Sequence, residues 1–225
     1  FVPNLEPEWF DFYGNVARTG EPARMEYPVE AMGRWFTVYA SRVGGEGSLW
    51  VAIVFEDITD RKRYEQRQAY VLQLSDALRS LSDAVEIQAT VTRTTMNFFR
   101  ADRCYYCEII DGSAIIRQDA SQADLPSVVG VYPLDNSPIF RAMIDAGQPF
   151  VFQDVHTTNF LDENLRQTCL QLQIISGMNV PVIKQGEPVG ILAITQSTPR
   201  NWTEFEMDLA EETAERTWAT IERAR

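Results

Sequence analysis

One histidine and three cysteines in 225 residues leave little material for metal-centred or nucleophilic chemistry. Positive charge is also scarce: 20 Lys and Arg face 32 Asp and Glu, a net charge of -12. Nonspecific binding to nucleic acid or anionic lipid runs on surplus cations, so neither is expected as a partner. Long apolar runs are missing; Trp50 to Phe55, the strongest, falls far short of the roughly 20 residues that cross a bilayer, so no membrane contact is expected. An odd cysteine count without a secretory leader reads as free thiols in a reducing compartment, which makes the cytoplasm the expected location. There is no glycine-rich ATP motif, so phosphoryl transfer is not expected of these residues. The chain begins at Phe1 rather than Met and reads as a piece of a longer protein.

What is present is an ordinary globular balance, 45% hydrophobic and 23% charged, enough for one large domain or two small ones. Arg24 to Val29, Arg34 to Arg42 and Ser48 to Glu56 alternate as strands, with Gly44, Gly45 and Gly47 making the last reversal. From Thr59 the period lengthens. Tyr64, Val71, Leu74, Leu78 and Leu81 recur at three- and four-residue steps, an amphipathic helix with a narrow seam that Arg67 interrupts. Asp83 ahead of Glu86 caps a second helix to about Phe99. Alternation then returns in Arg103 to Ile110, Asp111-Gly112 and Ala114 to Arg117, a hairpin, with a further strand at Val128 to Tyr132. Ser137-Pro138 starts a helix that ends at Gly147, and Phe150 to Val155 is extended. Loop and helix fill the stretch from His156 to Gln173, and Met178 to Ile183 with Val189 to Thr195 form a last hairpin. Thr203 and Glu206 make a capping box for a closing helix whose seam is Met207, Ala210, Ala214, Thr217, Ile221 and Ala224.

Two families are resembled by these pieces. Thr19-Gly20-Glu21-Pro22, Gly33-Arg34-Trp35-Phe36 and Val54-Phe55-Glu56-Asp57-Ile58-Thr59-Asp60-Arg61-Lys62 resemble the last three strands of a PAS domain and its exit into a signalling helix. Residues 68–225 resemble a GAF domain, most clearly in Asn179-Val180-Pro181-Val182, Pro188-Val189-Gly190-Ile191-Leu192-Ala193-Ile194 and Pro199-Arg200-Asn201-Trp202-Thr203. The resemblance implies an α+β fold. A GAF-like antiparallel sheet flanked by helices would follow a C-terminal PAS portion (1–58) and a helical linker (59–82), with the GAF domain at 83–203 and a signalling helix at 204–225. It further implies the sensory region of a bacterial histidine kinase. Tyr64, Val71, Leu74, Leu78, Leu81, Met207, Ala210, Ala214 and Ile221 would form a homodimer interface, and the output domain would lie elsewhere in the parent chain.

Within that resemblance a small-molecule pocket lies between the sheet and the segment from Ser137 to Gln173. Tyr106, Phe140, Phe152, Phe160, Leu170 and Met178 are its candidate lining residues, with His156 near the mouth. Some GAF domains hold a bilin through a Cys-His pair on the helix before the Val-Pro strand. Counted back from Val180-Pro181 that pair falls at Asn164-Leu165, which carry neither thiol nor imidazole, and Cys169 comes five positions late. The spacing thus argues against a covalent bilin and leaves the cofactor open. Asn159-Phe160-Leu161-Asp162-Glu163 only echoes the cyclic-nucleotide pattern, lacking its lysine. Cys104 and Cys107 form a CxxC, but on a strand side chains three apart point to opposite faces, so no metal site is expected. A thiol redox enzyme and a ligand-free dimerisation spacer are the alternative functions.

Overall fold

The structure, a computed structural model, describes residues 7–29, 32–122, 124–159 and 161–225. Two compact units divide the chain, Phe1–Ala69 and Tyr70–Arg225. In the first, helix α1 (Pro7–Thr19) buries Trp9 and Val16. Trp9, Phe12, Tyr13 and Val16 recur at helical spacing, a signal that the strand-led expectation for this region passes over. Gly20 ends the helix at φ 76°, a left-handed conformation that glycine adopts without strain. Strands β1 (Ala23–Val29), β2 (Arg34–Val43) and β3 (Trp50–Asp57) follow as an antiparallel sheet in that order. Trp9, Val29, Phe36 and Val38 make its small core.

The exit from β3 is built on Asp57. Its carboxylate accepts the Thr59 amide at 2.9 Å and the Thr59 hydroxyl at 2.5 Å, and pairs with Arg34 at 3.0 Å. These hydrogen bonds, from Thr59 foremost, hold Asp57 below the usual carboxylate range. They also launch helix α2 (Thr59–Leu78), which runs across the boundary at Ala69. The sequence suggested boundaries at 58 and 82; a helix seam carries no mark of where one packing partner gives way to the next.

The second unit is a six-stranded antiparallel sheet in the order β6-β5-β4-β9-β8-β7. Its strands are β4 (Arg103–Ile110), β5 (Ser113–Ser121), β6 (Gly130–Pro133), β7 (Phe150–Phe152), β8 (Ser176–Lys184) and β9 (Glu187–Gln196). Helices α3 (Ala84–Phe99) and α6 (Glu204–Ala224) pack on one face with the 70–78 stretch of α2, while α4 (Pro138–Asp145) and α5 (Glu163–Gln171) belong to the other. The caps expected from sequence form: Asp83 accepts from the Val85 and Glu86 amides, and Thr203 with Glu206 closes a capping box. Because the sheet is covered on both sides, alternation sorts apolar residues between two cores. Cys104, Tyr106, Met178, Val180, Leu192 and Ile194 join the cluster with α2, α3 and α6. Cys107, Ile116, Phe150, Phe152 and Ile191 join the opposite cluster with Leu161 and Cys169.

Buried hydroxyls tie the helix layer together. Tyr70 Oη lies 3.0 Å from Thr95 Oγ1 on α3 and 3.0 Å from Thr213 Oγ1 on α6. This packing corrects the expected dimer seam. Leu74, Ala210, Ala214 and Ile221 are buried within the unit's own core, and Val71, Leu78, Leu81 and Met207 pack partly buried against the same cluster. Tyr64 remains 64% exposed. An apolar helical stripe demands burial but does not specify whether a sheet or a second helix supplies it. Helix α6 therefore belongs to the second unit's core and not to a separate segment 204–225. No helix among the described residues is long and apolar enough to cross a membrane.

Candidate functional site

Between the sheet and residues 128–174 lies a cavity of about 340 Å³, within the usual range for small-molecule sites. Tyr105 and Cys107 of β4, Ala114 and Ile116 of β5, Asn179 of β8 and Ile191 of β9 form its floor. Leu165, Thr168, Cys169 and Leu172 supply the α5 side, and Ser137 and Phe140 the α4 side. Val131, Pro133, Asn136 and Asn164, all exposed, stand at the rim.

Local sequence explains how these walls are held. Asp162 caps α5 by accepting the Leu165 amide at 2.9 Å, and the Arg166 guanidinium donates to the carbonyls of Val155 and Thr158, fastening the preceding loop to the helix. The loop into β6 is closed by Asp119, which accepts the Val128 amide at 3.0 Å, and by Tyr132, whose hydroxyl donates to the Val128 carbonyl at 2.8 Å. Arg103, almost fully buried, bridges that loop to the end of α5 by donating to the carbonyls of Pro126 at 2.7 Å and Leu172 at 3.1 Å. Burial lowers its pKa, and the nearby Asp119 works against that shift.

Electrostatically the cavity is neutral: its lining holds no Lys, Arg, His, Asp or Glu. It does hold polar groups with nothing to bind. Asn179 is only 7% exposed and its carboxamide makes no hydrogen bond. Ser137 is 8% exposed, and although it occupies the N-cap of α4 its hydroxyl makes no capping bond. Both side chains line the cavity, where the polar groups of a bound molecule could meet them.

Of the candidate lining residues, Phe140 borders the cavity and packs edge-on against Phe150, with ring centroids 5.3 Å apart. Tyr106 and Met178 are displaced to the helix face, each one residue away from a true lining residue, Cys107 and Asn179. In a strand a shift of one residue changes the face, and a sheet covered on both sides gives the sequence no polar face to mark the register. Phe152 and Leu170 pack in the cavity-side core without bordering the cavity, His156 is exposed on a loop away from it, and Phe160 lies outside the described residues. Asn179, Ser137, Tyr105, Cys107 and Cys169 were missed as site residues. For Asn179 a signal existed, a polar side chain in the middle of an otherwise apolar strand.

All three thiols are buried and free, with Cys104 on the helix face and Cys107 and Cys169 on the cavity face. Desolvation pushes Cys107 and Cys169 up to about 12, so both stay protonated at neutral pH; a redox or nucleophilic thiol needs the opposite shift. Among the described residues no cluster of three or more His, Cys, Asp or Glu could hold a metal ion.

The model of the GAF domain matches residues 83–221, well over half of the chain. This chain belongs to the GAF domain family. No curated protein matches it. Among solved structures, it resembles a far-red absorbing dark state with bound biliverdin at 17% identity and TM-score 0.62, covering 69% of this chain and 98% of that one. It also resembles the phycocyanobilin-bound GAF domain of a cyanobacterial phytochrome at 21% identity and TM-score 0.59, covering 70% and 94%. The chromophore-binding domain of the bacteriophytochrome RpBphP3 from R. palustris is similar at 14% identity and TM-score 0.59, covering 91% of this chain and 76% of that one, so its match takes in part of the first unit. At these identities the likeness is one of fold.

These structures overturn the expectation that a covalent bilin is unlikely, since proteins of similar fold are seen with bound biliverdin and phycocyanobilin. The spacing argument fails for a helical reason. Leu165 and Cys169 are one turn apart on α5 and both line the cavity, so a thiol counted as late is still on the wall.

Proposed function

We propose that this chain is a sensory relay whose GAF domain binds a small organic ligand of the bilin class, and whose helices pass the ligand state to an output domain. The cavity carries this proposal: a neutral, largely apolar chamber whose lining nonetheless presents the polar side chains of Asn179 and Ser137. A linear tetrapyrrole, when bound, would supply absorption of visible light. The residues present suit such a group. Tyr105, Ile116, Phe140, Leu172 and Ile191 offer apolar walls, Asn179 and Ser137 offer hydrogen bonds, and Cys107 and Cys169 are the thiols on the lining. With no charge in the lining, carboxylate side chains of a bilin belong at the solvent-facing rim.

In this proposal the three-stranded unit is the trailing part of a PAS domain, and the output is a histidine kinase in the parent chain. The segment works as a homodimer. The exposed apolar side chains Tyr64 and Leu72 on α2 support that assembly, replacing the seam residues that are buried in the monomer.

Incubating the purified protein with biliverdin or phycocyanobilin and recording absorption tests the ligand class. A red-shifted, structured band that co-elutes with the protein is the expected result; free-pigment spectra with no co-elution overturn it. A mass in solution of one chain at high concentration would overturn the dimer.

A further inference from the structure

The two unpartnered groups say more about the ligand than its size. A carboxamide presents a donor and an acceptor side by side on one edge. At Asn179, 7% exposed on the cavity lining, neither atom is taken up by a hydrogen bond among the described residues, so both are free to meet a ligand. A carboxylate would satisfy only the donor and an ammonium only the acceptor. Neither charge would find an opposite charge in the lining. A neutral group that meets both atoms side by side with a fixed edge is an amide held cis in a ring, whose N–H and C=O face the same way as the carboxamide's complement. Ser137, 8% exposed and also unbonded, adds a hydroxyl that can donate to the same carbonyl type or accept from the same N–H type.

We infer that the cavity selects a lactam edge, with Asn179 as the residue that recognises it and Ser137 as a secondary contact. This inference rests on the bilin proposal in one respect, that the cavity is a ligand site; bilins carry lactams at their terminal rings, but so do many smaller heterocycles. Position supports Asn179 over its neighbours. Its flanking residues Met178 and Val180 are buried on the helix face, so alternation turns the carboxamide to the cavity, and pairing with Phe150 of β7 and Ala193 of β9 fixes its backbone between two strands. The anchor is therefore rigid, as a specificity residue should be.

The test uses the full chain, wild type and with Asn179→Leu or Ser137→Ala, against three probes: biliverdin, 2-quinolinone, and 2-methoxyquinoline, in which O-methylation removes the lactam N–H. Binding is read by absorption for biliverdin and by ligand-observed NMR for the quinolines. The expected result is that wild type prefers 2-quinolinone to 2-methoxyquinoline, and that Asn179→Leu weakens biliverdin and 2-quinolinone by about tenfold or more while leaving 2-methoxyquinoline unchanged. Ser137→Ala should weaken both lactams by a smaller factor. Biliverdin bound equally by wild type and Asn179→Leu overturns the inference and leaves the bilin proposal standing. No biliverdin binding, together with an Asn179-dependent preference for 2-quinolinone, overturns the bilin proposal and supports the inference. Failure of all three probes to bind overturns both. Circular dichroism of each variant confirms that it is folded.

Discussion

The two faces of the GAF sheet differ in how closely their helices cover them. On the helix face Tyr70, Thr95 and Thr213 share one hydroxyl network, and Thr213 also donates to the Leu209 carbonyl at 2.7 Å. On the cavity face Asn179 and Ser137 are buried less deeply, at 7% and 8% exposed, and their side chains make no hydrogen bond among the described residues. The strands are the same, so the contrast comes from the helices above them: α3 and α6 close down on the sheet, whereas α4 and α5 leave a chamber. The helix face also holds open polar atoms, since Tyr106 Oη, Trp202 Nε1 and Gln88 Oε1 are buried there without a partner; what sets the cavity face apart is the space beside its polar side chains.

That contrast can be broken or sharpened by experiment. Truncating the helix face at Leu74→Ala should lower stability most, by about 2–5 kcal/mol in urea unfolding, because the side chain is 1% exposed in a closed core. Alkali should act through the thiols of the cavity face. The unfolded thiols of Cys107 and Cys169 ionise near 8.5 while the folded ones keep their protons to about 12, so stability is unaffected below pH 8.5 and falls above it. One pH unit above 8.5 the loss is about 1.4 kcal/mol per thiol, measurable as a lower urea midpoint at pH 9.5 than at pH 7.5. Gly190→Ala should cost about 1–3 kcal/mol, since a Cβ there meets the Tyr106 hydroxyl and ring on the helix face. Tyr70→Phe should cost about 1–2 kcal/mol by removing the hydroxyl that lies 3.0 Å from Thr95 Oγ1. Asn179→Leu, by contrast, should change the unfolding free energy by less than about 0.5 kcal/mol, or raise it, because no hydrogen bond is lost. A large loss at Asn179 would erase the distinction between the faces.

Most of the fold was legible in the sequence because period and capping agree. Arg103 to Ile110 alternates and is β4 end to end; Asp83 and Thr203 mark the starts of α3 and α6 as their cap chemistry implies. Helix α1 was passed over although its stripe was there to be read. The site was less legible. Candidates were chosen as large apolar residues, and in a two-sided sheet Tyr106 and Met178 satisfy that criterion as well as any lining residue. What distinguishes the cavity is polar: Asn179 and Ser137, the latter disguised as an ordinary helix cap. The supposed dimer seam misled in the same way, for Leu74, Ala210, Ala214 and Ile221 record only that one side of each helix is buried.

One contact on the helix face reaches beyond packing. Glu108, buried on β4, accepts from Arg225 at 2.5 Å and from Gln88 at 2.7 Å, and its neighbour Cys107 is part of the cavity floor. A charge-assisted hydrogen bond loses most of its strength within an ångström of extra length. Strand β4 thus has the chamber at Cys107 on one face and, at the next residue, a contact with Arg225 just past the end of α6 on the other, so one strand touches both the cavity and the closing helix.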